Sequence, residues 1–279
     1  MSQASNSIPD HLKDDRCFNK GADGTFKRIL TRWISLLSVI TAISVNAQQL
    51  DLRIILIGDS TMAPLNGYGE VLCEGLNGHA ECWNLAKNGR SSKSFRAEGL
   101  WNSALEEVRK SRPVKSQWML IQFGHNDQPG KPGRSTDLNT EYPNNLAQFI
   151  EEARAAGLNP ILVTPLVRRS FKGNEHIDDL APWASSMKSV AERLNVPLID
   201  LHASSREKVR TVGEAEANRY AVAPPGSPAF DRTHLGPLGA CIFAELVLGQ
   251  LPRVTEGQVQ PETPVKCVST ATGSIADKR

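Results

Sequence analysis

The chain has 279 residues, 40% of them apolar and 6% aromatic, which is enough for one sizeable core and short for two. Its 32 basic and 30 acidic residues are well mixed and nearly cancel at +2. That balance argues against nucleic acid and against an acidic membrane surface as partners.

Met1 to Gly24 is polar and shows no apolar periodicity. Lys27, Arg28 and Arg32 then precede an apolar stretch from Trp33 to Val45, and Val45-Asn46-Ala47 ends it in small residues before Gln48. A basic n-region, a short h-region and an Ala-x-Ala-like cleavage site make a secretory signal. The run is short for a transmembrane span, and an uncleaved anchor or interfacial helix is the alternative. Residues 1–47 are therefore expected to be an N-terminal extension and signal peptide, with a start codon downstream of Met1. The mature protein is expected to be secreted or periplasmic, with no stable membrane association. Loss of Cys17 with the leader leaves Cys73, Cys82, Cys241 and Cys267, an even count in an oxidising compartment. Four cysteines allow three connectivities, among which sequence does not choose; Cys73–Cys82 with Cys241–Cys267 is the one taken here, although a buried free thiol suits Cys241, which lies in an apolar helical stretch.

The folded domain is expected over residues 51–253. Ile54-Ile55-Leu56-Ile57 is a short apolar run that stops at Gly58-Asp59-Ser60-Thr61, the pattern of a buried parallel strand. Ser60 thus falls on the edge where open α/β sheets bind ligands. A Gly-Asp-Ser turn by itself would serve equally as an ordinary β-turn. Gly67 to Leu76 can form a helix, and Cys82 to Ala86 reads as a second strand ending in the turn-rich Lys87-Asn88-Gly89-Arg90-Ser91-Ser92. Leu100, Ala104, Leu105 and Val108 give Leu100 to Arg109 a helical face. Trp118 to Phe123 is a third strand, breaking at Gly124-His125-Asn126-Asp127.

Pro129 to Pro143 is a long loop rich in Gly, Pro, Ser and Thr, and loops of that length usually carry function or disorder. Asn145 to Ala156 is an amphipathic helix closed by Gly157. Pro160 to Thr164 and Val196 to Asp200 are the fourth and fifth strands, with a helix from Trp183 to Leu194 between them and another from Ala203 to Ala217 after them. The irregular Tyr220 to Pro228 leads into Asp231-Arg232-Thr233-His234-Leu235, and Leu238 to Leu251 is an apolar closing helix. Residues 254–279 form a polar tail, expected to be disordered unless Cys267 pins it. Strands alternating with helices imply an α/β fold whose parallel sheet is covered on both faces.

In such a sheet the turns at Ser60, Gly89 and Asn126 lie along one edge, where the late loop adds Asp231 and His234. Acyl transfer needs a nucleophile, a base in reach of it, a group that orients the base, and donors aimed at the developing oxyanion. Ser60 can attack, His234 can take its proton, and Asp231 can fix the imidazole tautomer. The Ser60 and Gly89 amides and the Asn126 side chain can form the oxyanion hole. Gly89 suits that task because it has no Cβ to keep a substrate oxygen away.

Gly58-Asp59-Ser60, Asn88-Gly89-Arg90, Gly124-His125-Asn126-Asp127 and Asp231-x-x-His234 stand in order and resemble the four sequence blocks of the SGNH (GDSL-type) hydrolases. The resemblance covers roughly Arg53 to Leu251. The spellings Gly58-Asp59-Ser60-Thr61, Asn88-Gly89-Arg90-Ser91-Ser92, Gln122-Phe123-Gly124-His125-Asn126-Asp127 and Thr164-Pro165-Leu166-Val167-Arg168-Arg169 are similar to rhamnogalacturonan acetylesterases and related bacterial pectin deacetylases. The resemblance implies a three-layer, flavodoxin-like fold around a central parallel sheet. It also implies a serine esterase with no metal or other cofactor, acting on an acetylated polysaccharide or oligosaccharide. It makes Ser60, Gly89, Asn126 and His234 the signature residues, with Asp231 completing the triad.

His125 is expected to brace the Asn126 loop. Arg168 and Arg169 are either structural partners of other groups or face a uronic-acid carboxylate, which a planar guanidinium suits. No His, Cys, Asp or Glu spacing resembles a metal site, and there is no phosphate-cradling glycine loop and no G-x-S-x-G elbow. The same constellation also serves acetylxylan and sialate acetylesterases, lipases and thioesterases, and a non-catalytic carbohydrate-binding protein is the rival from another class. Few aromatics and polar loops favour a sugar over a long acyl chain.

Overall fold

The computed structural model describes residues 51–261. The leader segment, with Cys17, and the tail from residue 262 onward, with Cys267, lie outside the described residues.

The first strand, β1 (Leu52–Gly58), is buried on both faces because Ile54 to Ile57 is apolar at every step: Ile54 and Leu56 point to one layer, Ile55 and Ile57 to the other. Helix α1 (Gly69–Glu74) returns the chain to β2 (Glu81–Asn84), which pairs parallel with β1. A disulfide between Cys73 and Cys82 ties that helix to that strand, as expected. Cys241 is disulfide-bonded rather than a free thiol, while its expected partner lies outside the described residues. Two helices follow, α2 (Ser92–Ala97) and α3 (Leu100–Lys110), and then β3 (Ser116–Gln122), which pairs with β1 on the side away from β2. Helix α2 was not expected. It is too short for a periodic face and is set by a capping box, in which the Ser91 hydroxyl accepts from Ser94 N–H and the Ser94 hydroxyl accepts from Ser91 N–H.

Helix α4 (Glu141–Ala155) begins four residues before the expected start, with Pro143 tolerated in its first turn. It leads to β4 (Asn159–Val163), parallel to β3. Between β4 and α5 (Ala181–Arg193) lies a small antiparallel hairpin, β5 (Phe171–Lys172) and β6 (Glu175–His176), whose two-residue strands leave no pattern to read. The last strand, β7 (Leu198–Ile199), pairs with β4, and α6 (Leu201–Asn218), α7 (Pro237–Leu248) and α8 (Leu251–Val254) complete the described elements.

The main sheet is all-parallel with order β2-β1-β3-β4-β7, the 2-1-3-4-5 order of flavodoxin-like folds once the hairpin is set aside. Helices α1, α6, α7 and α8 cover one face and α2 to α5 the other, so the fold is the expected three-layer α/β arrangement. The chain reverses direction across the sheet between β1 and β3, and the carboxyl ends of those strands border the crevice where such sheets take ligands.

The expected disorder after Thr255 does not hold for the described part of the tail. Val259 is fully buried in the α7–α8 layer, its N–H donates to Thr255 Oγ1, and the Ser116 hydroxyl donates to Gln258. One buried valine in a polar stretch has no periodicity to announce it.

Candidate active site

At the end of β1 the chain turns because Met62 and Ala63 N–H donate back to the Asp59 carbonyl. Beneath this turn runs a buried chain of hydrogen bonds. Tyr68 donates its hydroxyl to Gln122 Oε1 (2.6 Å), Gln122 Nε2 donates to Thr61 Oγ1 (2.7 Å), and Thr61 donates its hydroxyl to Asp59 Oδ1 (2.8 Å). The network pins the turn to the last residue of β3, so Ser60 is presented on a rigid element rather than on a mobile loop. Across the turn, His125 Nδ1 stands 3.4 Å from Asp59 Oδ2. Burial, above all, holds this imidazole below its usual range in spite of the facing carboxylate. His125 is thus buried beneath the site against Asp59, and neither of its ring nitrogens hydrogen-bonds the Asn126 loop.

Ser60 Oγ lies 3.0 Å from His234 Nε2, and His234 Nδ1 lies 3.1 Å from Asp231 Oδ2. Asp231 also accepts, through Oδ1, the N–H groups of Thr233 and His234, both at 2.7 Å. Burial raises the Asp231 carboxyl, but those two N–H groups and the facing imidazole outweigh it and hold the group below the usual carboxylate range. The acid is therefore an anion at neutral pH. Its place on Nδ1 selects the tautomer that leaves Nε2 free to accept a proton from Ser60.

Gly89 has φ +76°, a left-handed conformation that side-chain-bearing residues rarely adopt, which explains glycine at this turn. Among the described residues, neither the Ser60 nor the Gly89 N–H donates to a protein acceptor, so both remain open to a ligand oxygen. One N–H of the Asn126 amide donates to the Arg90 carbonyl (3.0 Å), which orients the group and leaves its second N–H unassigned. Asp127 is buried behind them, accepting from Ser92 N–H and hydroxyl and from Thr136, and burial pushes its carboxyl up to about 7. The structure thus brings together every expected site residue: Ser60, His234 and Asp231 in one hydrogen-bonded line, Gly89 and Asn126 on the same edge of the sheet. A cavity of about 860 Å³ opens between the β5–β6 hairpin and α6, but none of these residues lines it.

Arg168 and Arg169 do not form a solvated pair. Arg168 makes an ion pair with Asp179 and donates Nε–H to Thr233 Oγ1. Arg169 is fully buried, and its guanidinium donates to the carbonyl oxygens of Asp231, Thr233 and His234. Burial draws its pKa down to about 10, so it stays a cation at neutral pH. Arg169 is therefore not free to meet a substrate carboxylate, and Arg168 already holds the Asp179 carboxylate. Residue chemistry alone could not show this for Arg169, because its acceptors are main-chain oxygens more than sixty positions away.

Residues 56–240 match the model of the GDSL-like lipase/acylhydrolase family. The chain is 34% identical over 202 residues to the probable rhamnogalacturonan acetylesterase YesY of Bacillus subtilis (strain 168), covering 70% of this chain and 90% of that one. It is 34% identical over 211 residues to rhamnogalacturonan acetylesterase RhgT of the same organism, covering 70% and 88%. Among solved structures, the Bacillus subtilis protein YXIM superposes with a TM-score of 0.60 at 23% identity, over 73% of this chain and 57% of that one. The acetylxylan esterase Axe2 of Geobacillus stearothermophilus superposes with a TM-score of 0.53 at 19% identity, over 71% and 93%. These likenesses are of fold.

Proposed function

Because the chain belongs to the GDSL-like lipase/acylhydrolase family and is a carboxylic ester hydrolase, we propose that it removes O-acetyl groups from an acetylated plant cell-wall polysaccharide, rhamnogalacturonan foremost, through an acetyl-enzyme on Ser60. The observation that carries the mechanism is the Asp231–His234–Ser60 line of hydrogen bonds at the end of β1. The two relatives at 34% identity, each matched over most of its length, support this choice of substrate.

In the acylation step Ser60 Oγ bonds to the acetyl carbonyl carbon while His234 Nε2 takes the hydroxyl proton. The carbonyl oxygen becomes an oxyanion and accepts from the Ser60 and Gly89 N–H groups and from the Asn126 amide. Collapse breaks the bond to the sugar oxygen, which leaves with the proton from His234. Water then attacks the acetyl-enzyme, giving its proton to the same nitrogen, and acetate departs as Ser60 is reprotonated. Asp231 stays ionised throughout and stabilises the imidazolium formed in each half-reaction.

The test is acetate release from acetylated rhamnogalacturonan, run beside acetylated xylan and p-nitrophenyl esters of increasing chain length. Preference for the pectic polymer is the expected result. Preference for long acyl chains would keep the triad and discard the sugar. The Cys73–Cys82 disulfide supports an oxidising compartment and hence export, which N-terminal sequencing of the native protein would check.

A further inference from the structure

We infer that Lys131 and Arg134 form a carboxylate-binding rim at the candidate active site, which takes an acidic sugar unit adjoining the acetylated one. The inference rests on the polysaccharide reading above and narrows it to an acidic chain.

Both residues belong to the loop between β3 and α4, whose course is set by its own hydrogen bonds. Thr136 N–H donates to the Asp127 carbonyl (2.9 Å), Ser135 donates its hydroxyl to the Gln128 carbonyl (2.8 Å), and Arg134 N–H donates to the Lys131 carbonyl (3.0 Å). The loop is therefore held before any ligand arrives. Arg134 Nη1 lies 3.3 Å from the Gly89 carbonyl oxygen and 3.4 Å from Asn126 Oδ1, so this guanidinium stands directly beside two of the candidate oxyanion donors. Lys131 Nζ donates to the His125 carbonyl, in the residue before Asn126.

What sets these two apart is their lack of a counterion. Arg90 pairs with Glu98 and Arg168 with Asp179, but among the described residues neither Lys131 nor Arg134 has a carboxylate within ion-pair distance. Both are half-buried, and their other acceptors are neutral carbonyl and amide oxygens. Burial, with the neighbouring Arg168 and Arg134, lowers the Lys131 ammonium below the usual lysine range, outweighing the buried Asp59 and Asp127 carboxyls, which raise it. Lys131 and Arg134 repel each other with no carboxylate among the described residues in direct contact with either, and an incoming carboxylate relieves that repulsion. The planar fork of Arg134 suits two carboxylate oxygens, with Lys131 as a point charge alongside. A uronate carboxylate is the group on a plant polysaccharide that has this charge and shape. Held by Arg134, it would lie beside Gly89 and Asn126, the candidate oxyanion donors.

A competing use of the same cations is to steady the oxyanion itself, and substrate pairs separate the two. Acetylated rhamnogalacturonan is compared with the same polymer after its uronate carboxyls are reduced to alcohols. The wild type is expected to lose about tenfold in kcat/KM on reduction, the size of one charge-assisted contact. In Arg134→Gln and in Lys131→Gln that ratio should fall toward one, and Arg134→Lys should restore part of it. Equal losses on both substrates, with the ratio kept, would overturn the rim and assign the cations to the oxyanion. A second readout does not depend on the polymer being a substrate: calorimetric titration of the Ser60→Ala protein with unacetylated oligogalacturonate. Binding that weakens about tenfold on adding Arg134→Gln supports the rim, even if the wild type released no acetate from pectin and the functional reading failed. No binding, or binding indifferent to both substitutions, overturns the rim while leaving the esterase standing.

Discussion

Arg169 donates from Nη2 to the carbonyl oxygen of His234 at 2.8 Å, from a position fully shielded from solvent. The same guanidinium holds the Asp231 and Thr233 carbonyls, and the Arg169 N–H holds that of Arg232. The loop that carries the candidate base and its orienting acid is thus clamped from below by one side chain. Arg169→Met would leave buried carbonyls without donors, at about 1–3 kcal/mol for each unmet group. We expect a lower urea midpoint and a fall in kcat larger than any change in KM, with Arg169→Lys intermediate in both. A methionine variant matching the wild type in stability and rate would mean that Asp231 holds the loop alone.

Ser60→Ala should abolish nearly all turnover and leave the thermal midpoint within a few degrees of the wild type. The hydroxyl hydrogen-bonds the His234 imidazole, and the turn is held by Asp59 and Thr61 instead. Activity on an aryl acetate, read beside a melting curve, checks both halves. A variant keeping wild-type rates would end the proposed mechanism.

Asn126→Ala removes the proposed oxyanion donor, and should cost about 2.7–4 kcal/mol of barrier, seen in kcat. The Arg90 carbonyl and the Arg134 guanidinium would each lose a partner as well, so stability is to be measured alongside. A rate loss below tenfold would leave Asn126 with a structural role only.

Asp127 links the site to pH through stability. Its carboxyl is pushed up to about 7 in the folded state by burial, so the folded protein keeps a proton that the unfolded chain releases near the ordinary aspartate value of 3.8. The group's contribution is therefore complete below about pH 4 and declines as pH rises toward 7, beyond which it is gone. Between those limits the wild type should lose up to about 1.4 kcal/mol per pH unit relative to Asp127→Asn, which cannot titrate. Urea unfolding of both proteins at several pH values measures the difference in slope, and parallel curves would show that Asp127 ionises as readily folded as unfolded.

Local sequence patterns suffice for the parallel α/β class, for the five main strands within a few residues, and for Ser60, Gly89, Asn126, Asp231 and His234 as the polar groups of one edge. They suffice because a buried strand and the turn that ends it are local features, and a parallel sheet brings all such turns to the same side. The tertiary structure alone decided what the cations do. Arg168 and Arg169 are neighbours in the chain, yet one meets a carboxylate near the surface and the other main-chain carbonyls in the interior. Arg134, in a loop that sequence marked only as long and polar, is the one that reaches Gly89 and Asn126. Val259 fills the core from a stretch that reads as tail. In each case the outcome depends on which distant segments abut, and periodicity records only how a segment faces its own neighbours. A long, flexible, charged side chain takes whichever acceptor or counterion the packed loops put within its reach.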